Sequence, residues 1–241
     1  MWRLLFAAVL GILAGCASTG ERDPRDPWEP LNRKIYSFND TLDAYVARPV
    51  ATGYQKAVPS EIRERVRNFF GNVGDVFIGV NNFLQGKFED GVSDWARVAF
   101  NTTVGLFGLH DVATDMGYEK HNEDFGQTFG RWGAGSGPYV ILPILGSSTL
   151  RDTFGWGVDF YTDPLNETKP FEAHWGLVTL RLIQTRADLL DASRILEEAA
   201  LDKYTFQRDA YLQRRRSLIY DGRPPREKEP EDDSDKDQKA R

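Results

Sequence analysis

Cysteine occurs once among the 241 residues, at Cys16, so no disulfide can close within the chain. Histidine is nearly as scarce. His110, His121 and His174 are scattered, with no second histidine at helical spacing, which leaves no conventional zinc site. Long apolar runs are also missing, although a helix needs about 20 such residues to cross a bilayer. The greasiest internal stretch is Gly137 to Gly146, "GPYVILPILG", and Pro143 interrupts it. Positive charge is not in excess: the net charge of −6 excludes the basic stripe that a nucleic-acid binder needs. It equally excludes attachment to anionic lipid by charge alone. Catalytic signatures are absent too. Ser136 sits in "GAGSGP", where Ala134 replaces the first glycine of a nucleophile elbow, and no Gly-Lys-Ser/Thr phosphate cradle follows. No catalytic residue, metal or cofactor is implied, and the acidic stretch "DVATDMGYEKHNEDFG" reads as a solvated loop because it lacks the calcium-loop register.

The ends say more. Met1-Trp2-Arg3 is a positive start, Leu4 to Leu13 is apolar but too short to span, and Leu13-Ala14-Gly15-Cys16 closes it with small residues. This has the form of a bacterial lipobox, cut before Cys16, and acylation gives the lone thiol a use. Acyl chains contribute about 0.8 kcal/mol per buried methylene, so several chains hold stably where one does not. Ala17, in place of an aspartate, favours the outer membrane over retention at the inner one. The expected organisation is a signal peptide over 1–15, a lipidated spacer over 16–27, one helical domain over 28–221 and a disordered charged tail over 222–241.

Within the body, Leu31, Ile35, Phe38, Leu42 and Tyr45 fall on one face of a helix that opens at Pro30 and stops at Arg48-Pro49. A second helix begins with Ser60 as cap and carries Ile62, Val66 and Phe69. Phe88, Val92, Trp95 and Ala99 form a third stripe, flanked by Asp90, Asp94, Arg97 and Asn101. Ser148 caps a helix with Leu150, Phe154, Val158 and Tyr161. A long helix from about Phe171 toward Ala200 repeats Leu182, Leu189 and Leu196, and a more charged continuation runs through Tyr204, Tyr211 and Leu218. The connectors "FFGNVGDVFIGVNNFLQG", "NTTVGLFGLHDVA" and "FGQTFGRWGAGSGPYVILPILG" are apolar and glycine-rich, unlike ordinary surface loops. They either pack inside a compact helical body or lie against lipid without crossing it.

Several stretches together carry a resemblance: "DPWEPLNRKIYSFND", "RPVA", "NNFLQG", "GPYVILPILGSSTLRD" and "TRADLL", with the lipobox before them. In order, over Asp26 to about Tyr220, they resemble the MlaA (VacJ) outer-membrane lipoproteins. The resemblance implies an all-α, ring-shaped domain embedded in the inner leaflet of the outer membrane around an amphipathic channel. It implies trimeric porins and a periplasmic lipid-shuttle protein as partners. The implied activity is removal of phospholipid that has strayed into the outer leaflet. Cys16 would be the anchor, and Phe38 and Asn39 would set the ring against the bilayer. Gly135, Gly137 and Pro138 would form a hinge beside the channel, followed by Tyr139, Ile141 and Pro143 in a segment at leaflet depth that packs in the ring or faces acyl chains. The other classes open to the sequence are a structural envelope lipoprotein and a cell-wall or lipid hydrolase.

Overall fold

The computed structural model describes residues 23–226, so Cys16, the signal segment and nearly all of the predicted tail lie outside the described residues. The body is mostly helical. Helix α1 (Glu29–Leu42) starts with Pro30 in its first turn, where a missing N–H costs nothing. The chain does not stop at Arg48-Pro49. A wide π-helical turn, Asp43–Ala47, leads straight into α2 (Arg48–Ala57), with the Arg48 amide donating to the Asp43 carbonyl. Pro49 is therefore tolerated as an opening residue of the next helix and ends nothing.

Helix α3 (Ser60–Leu84) pairs with α4 (Phe88–Thr103) as a hairpin. Ser60 lies at the first helical position after Pro59 and makes no side-chain cap. The stretch from Phe69 to Gly86, expected as a greasy connector, is largely the second half of α3. Gly79 on α3 and Gly91 on α4 allow close helix contact: a Cβ on Gly79 would fall 2.4 Å from the Trp95 ring, and one on Gly91 would fall 2.9 Å from the Phe83 ring. A short helix α5 (Val112–Asp115) and a turn-rich segment lead to α6 (Phe125–Arg131).

The "YVILPILGSST" stretch departs from the all-α expectation. It forms a hairpin of β1 (Tyr139–Leu142) and β2 (Gly146–Thr149), antiparallel with Tyr139 opposite Thr149 and Leu142 opposite Gly146. Pro143 lies in the turn, outside the ladder, and Gly146 takes the left-handed backbone the return needs (φ 88°). Helix α7 (Leu150–Thr162) follows, capped by Thr149 in place of the predicted Ser148, since the Thr149 hydroxyl accepts from the Asp152 amide. The predicted long helix from Phe171 is two, α8 (Phe171–Asp188) and α9 (Leu190–Ala199), parted at Leu189. Asp188 is held there by Arg67 on α3 and by Gln184. Helix α10 (Lys203–Ile219) closes the fold, capped by Asp202.

The apolar stripes point outward. Leu31, Phe38, Tyr45, Ile62, Phe88, Val92, Trp95, Leu150, Phe154, Tyr161, Leu182 and Leu189 are all exposed. The faces turned inward are polar: Asn32 on α1, Asn72, Asp75, Asn81 and Asn82 on α3, Asp94, Arg97 and Asn101 on α4, and Arg151 and Asp152 on α7. The apolar core is small: a cluster of Tyr139, Ile141 and Tyr204 with Ile35, Tyr36, Tyr211 and Leu212 against them, and Ala51, Phe70, Ala113, Leu165, Ala187 and Ile219 buried outside it. Compared with a water-soluble bundle, this body is inverted. Among the described residues no helix is long and apolar enough to cross a membrane.

Candidate functional site

The inverted interior is satisfied by ion pairs and amide bonds. Arg97, 1% exposed, donates to Asp75 (3.3 Å), to both oxygens of Asp111 (2.9 and 2.8 Å), to Thr114 and to the Tyr118 carbonyl. Lys120 also binds Asp75, whose carboxyl burial pushes up against the pull of Lys120 and Arg97. His121 meets Asp94, and Lys87 bridges Glu123 and Asp221. The acidic stretch expected as a solvated loop is thus the lid of the polar interior: Asp111, Lys120, His121, Glu123 and Asp124 all turn inward to partners.

At the other end of the body, α1 holds the hairpin with two asparagines seven residues apart. Asn32 donates to the Tyr139 carbonyl (3.1 Å) and accepts from the Ile141 amide (2.9 Å). Asn39 repeats the arrangement one step on, donating to the Leu142 carbonyl (2.9 Å) and accepting from the Ile144 amide (2.8 Å). A carboxamide offers one donor and one acceptor side by side, so each Asn supplies what a neighbouring strand would. Ile144, held in a left-handed conformation (φ 69°), is thereby presented outward at 71% exposure.

Between the hairpin, α1, α8 and α10 lies a cavity of about 700 Å³. Ile141, Ile144, Leu145, Leu182, Leu189 and Phe206 make it largely apolar, while Asn39, Asp40, Asp43, Arg186, Lys203 and Arg214 set polar groups around it. Asp43 is held below the usual carboxylate range by Arg186, which binds it at 2.5 and 2.8 Å. A second cavity of about 290 Å³ adjoins, with Leu145, Ser147 and Tyr211 lining both. Its far wall carries Asp124, Asp152 and Arg215. Burial alone would lower Arg215, but hydrogen bonds from its guanidinium to Asp124 (2.5 and 2.8 Å) and Asp152 (3.0 Å) hold it charged. Asp159 also lines this cavity, and there burial and the Asp124 charge raise its carboxyl to about 7.

A model of the MlaA lipoprotein family matches residues 24–218. The chain belongs to the MlaA lipoprotein family. A relative in Escherichia coli K12, named intermembrane phospholipid transport system lipoprotein MlaA, is 40% identical over 87% of this chain and 86% of its own. A protein of the same name in Haemophilus influenzae is 28% identical over 94% of each chain. A solved chain described under "Structural basis for maintenance of bacterial outer membrane lipid asymmetry" is 37% identical and superposes with a TM-score of 0.71, covering 82% of this chain and 100% of that one.

Phe38 and Asn39, expected to act together, divide their positions. Phe38 is exposed, whereas Asn39 lines the larger cavity and clamps the hairpin turn. Gly135 is exposed, with open space where a Cβ would stand, and Gly137 is exposed with a left-handed backbone (φ 65°) just before Pro138. Tyr139 and Ile141 (3% exposed) are buried in the apolar core, while Pro143 is exposed in the turn. Sequence reasoning missed Asn32, Asp75, Arg97 and Arg215. The signal for one of them, Arg97, was present: Asp94, Arg97 and Asn101 repeat at the same three- and four-residue spacing as the apolar stripe, which marks a second, polar face of α4.

Proposed function

We propose that this protein sits in the periplasmic leaflet of the outer membrane, tethered by acyl chains on Cys16, and gives misplaced phospholipid a passage out of the outer leaflet. The inversion of the body carries the reading. Apolar surface in water costs roughly 25 cal/mol per Å², a penalty that vanishes when the same surface meets acyl chains. A headgroup crossing hydrocarbon loses its hydration at a cost of several kcal/mol. The larger cavity, apolar on the hairpin and α8 sides and charged along α10 and α1, offers such a headgroup polar company while its chains remain against leucine and isoleucine. Irregular backbone at membrane depth is stable only where protein satisfies it, and Asn32 and Asn39 do this for the hairpin. Phe38 and the outward stripes set the depth of the ring-shaped body, and Gly135, Gly137 and Pro138 let the hairpin move. A trimeric porin is the neighbour in the membrane, and a periplasmic lipid-shuttle protein takes the lipid away.

The movement runs down a chemical gradient and needs no nucleotide. The test is surface-exposed phospholipid in a deletion strain complemented with wild type or with Cys16→Ala. Wild type restores asymmetry and the unanchored variant does so poorly; equal surface phospholipid with and without the gene would sink the reading.

A further inference from the structure

Helix α10 carries several cations, and two of them, Arg208 and Arg215, are neutralised by acids. Arg208 binds Asp23, Asp26 and Asp209, and Arg215 binds Asp124 and Asp152. Lys203 and Arg214 differ: both line the larger cavity, and neither has an ion-pair partner among the described residues. They belong to one face, since Lys203, Gln207, Ala210 and Arg214 recur at helical spacing and all four line the cavity. Eleven residues of helix place the two cations about 16 Å apart along the axis. Arg186, across the cavity, is occupied by Asp43, and Asp40 on α1 is the acid there without an ion-pair partner among the described residues. Leu182, Leu189 and Ile144 line the same cavity.

We propose that this face of α10 is a phosphate rail for the lipid passage, with Lys203 and Arg214 as its two stations. The inference rests on the reading of the cavity as that passage. A phosphodiester stays ionised throughout the physiological range and accepts charge-assisted hydrogen bonds from ammonium and guanidinium groups. Two stations one rail-length apart suit a headgroup that moves, with neutral Gln207 and Ala210 between them. Both cations are exposed, so each attraction is screened and modest, and the lipid is released.

Binding of three monomeric probes to the full-length lipidated protein in detergent micelles tests this: dihexanoyl phosphatidylglycerol, dihexanoylglycerol without phosphate, and glycerol phosphate without chains. Lys203→Gln and Arg214→Gln should each weaken phosphatidylglycerol binding about threefold and together about tenfold or more. Dihexanoylglycerol binding should stay as in wild type, which also shows that the variants are folded. Equal phosphatidylglycerol affinity for wild type and the double variant overturns the rail while leaving the passage standing. Glycerol phosphate binding as tightly as the lipid overturns it in favour of a soluble phosphate site. A wild type that takes neither acylated probe overturns the passage itself.

Discussion

Arg97 satisfies buried Asp75 and half-buried Asp111 at once, because its fork reaches Asp75 from one nitrogen and Asp111 from another. Removing it leaves Asp75, fully buried, with Lys120 alone. Losing one partner of a buried ion pair costs up to about 3–5 kcal/mol, of which Lys120 offsets part, against the roughly 5–15 kcal/mol that holds a domain together. Arg97→Ala should therefore lower the urea midpoint sharply or abolish folding, measured by circular dichroism in detergent. Asp159 presents the opposite case. Its carboxyl titrates at about 7 when folded, against about 4 when unfolded. Between those values the unfolded chain has released a proton that the folded protein still holds, so rising pH favours unfolding through that window, and the loss is complete above about 7. Asp159→Asn should remove this slope and raise stability at pH 8 by about 1 kcal/mol, partial solvation keeping the gain small. A Tm profile across pH 4 to 8 with the same slope in both proteins would count against it.

At the scale of elements, glycine decides how close the helices come. A Cβ on Gly155 of α7 would stand 2.3 Å from the Gly126 amide nitrogen and 2.6 Å from its Cα, backbone against backbone, where no side chain can swing aside. Gly155→Ala should force α6 and α7 apart and destabilise by about 2 kcal/mol or more. The separation also displaces Asp124 and Asp152, both bound by Arg215, so trypsin should cleave the variant faster than wild type. The hairpin shows how an element's context overrides its composition. "YVILPIL" reads as a greasy segment at leaflet depth, yet its residues split: Ile141 is 3% exposed in the core beside Tyr204, and Ile144 is 71% exposed in the turn.

For the molecule as a whole, that split separates folding from lipid contact. Ile141→Lys buries an ammonium among Tyr139, Ile141's neighbours and Tyr204, and should unfold the body by several kcal/mol. Ile144→Lys should leave the thermal midpoint in detergent within a degree or two, since surface changes rarely exceed about 0.5 kcal/mol. It should nonetheless weaken binding of the acyl-free body to phospholipid vesicles about tenfold, because one large apolar side chain no longer enters the leaflet. Vesicle co-sedimentation reads this directly; undiminished binding would show that the hairpin turn does not touch lipid.

The amino-acid order alone determined where the helices lie on α1, α4, α7 and α10, because a 3.6-residue period needs no knowledge of neighbours. Family membership was equally legible, since "DPWEPLNR" and "GPYVILPILGSSTLRD" persist as strings. Which side of each stripe faces inward was not legible. Periodicity states that a helix has two faces but not which of them turns in, and this body turns Phe88, Val92 and Trp95 out and Asp94, Arg97 and Asn101 in. Nor did spacing reveal that the glycines of α3 belong to a helix crossing, or that Asn32 and Asn39 complete a strand. The glycine role arises only when two helices meet side by side, and the asparagine role only when segments more than a hundred residues apart come within hydrogen-bonding distance.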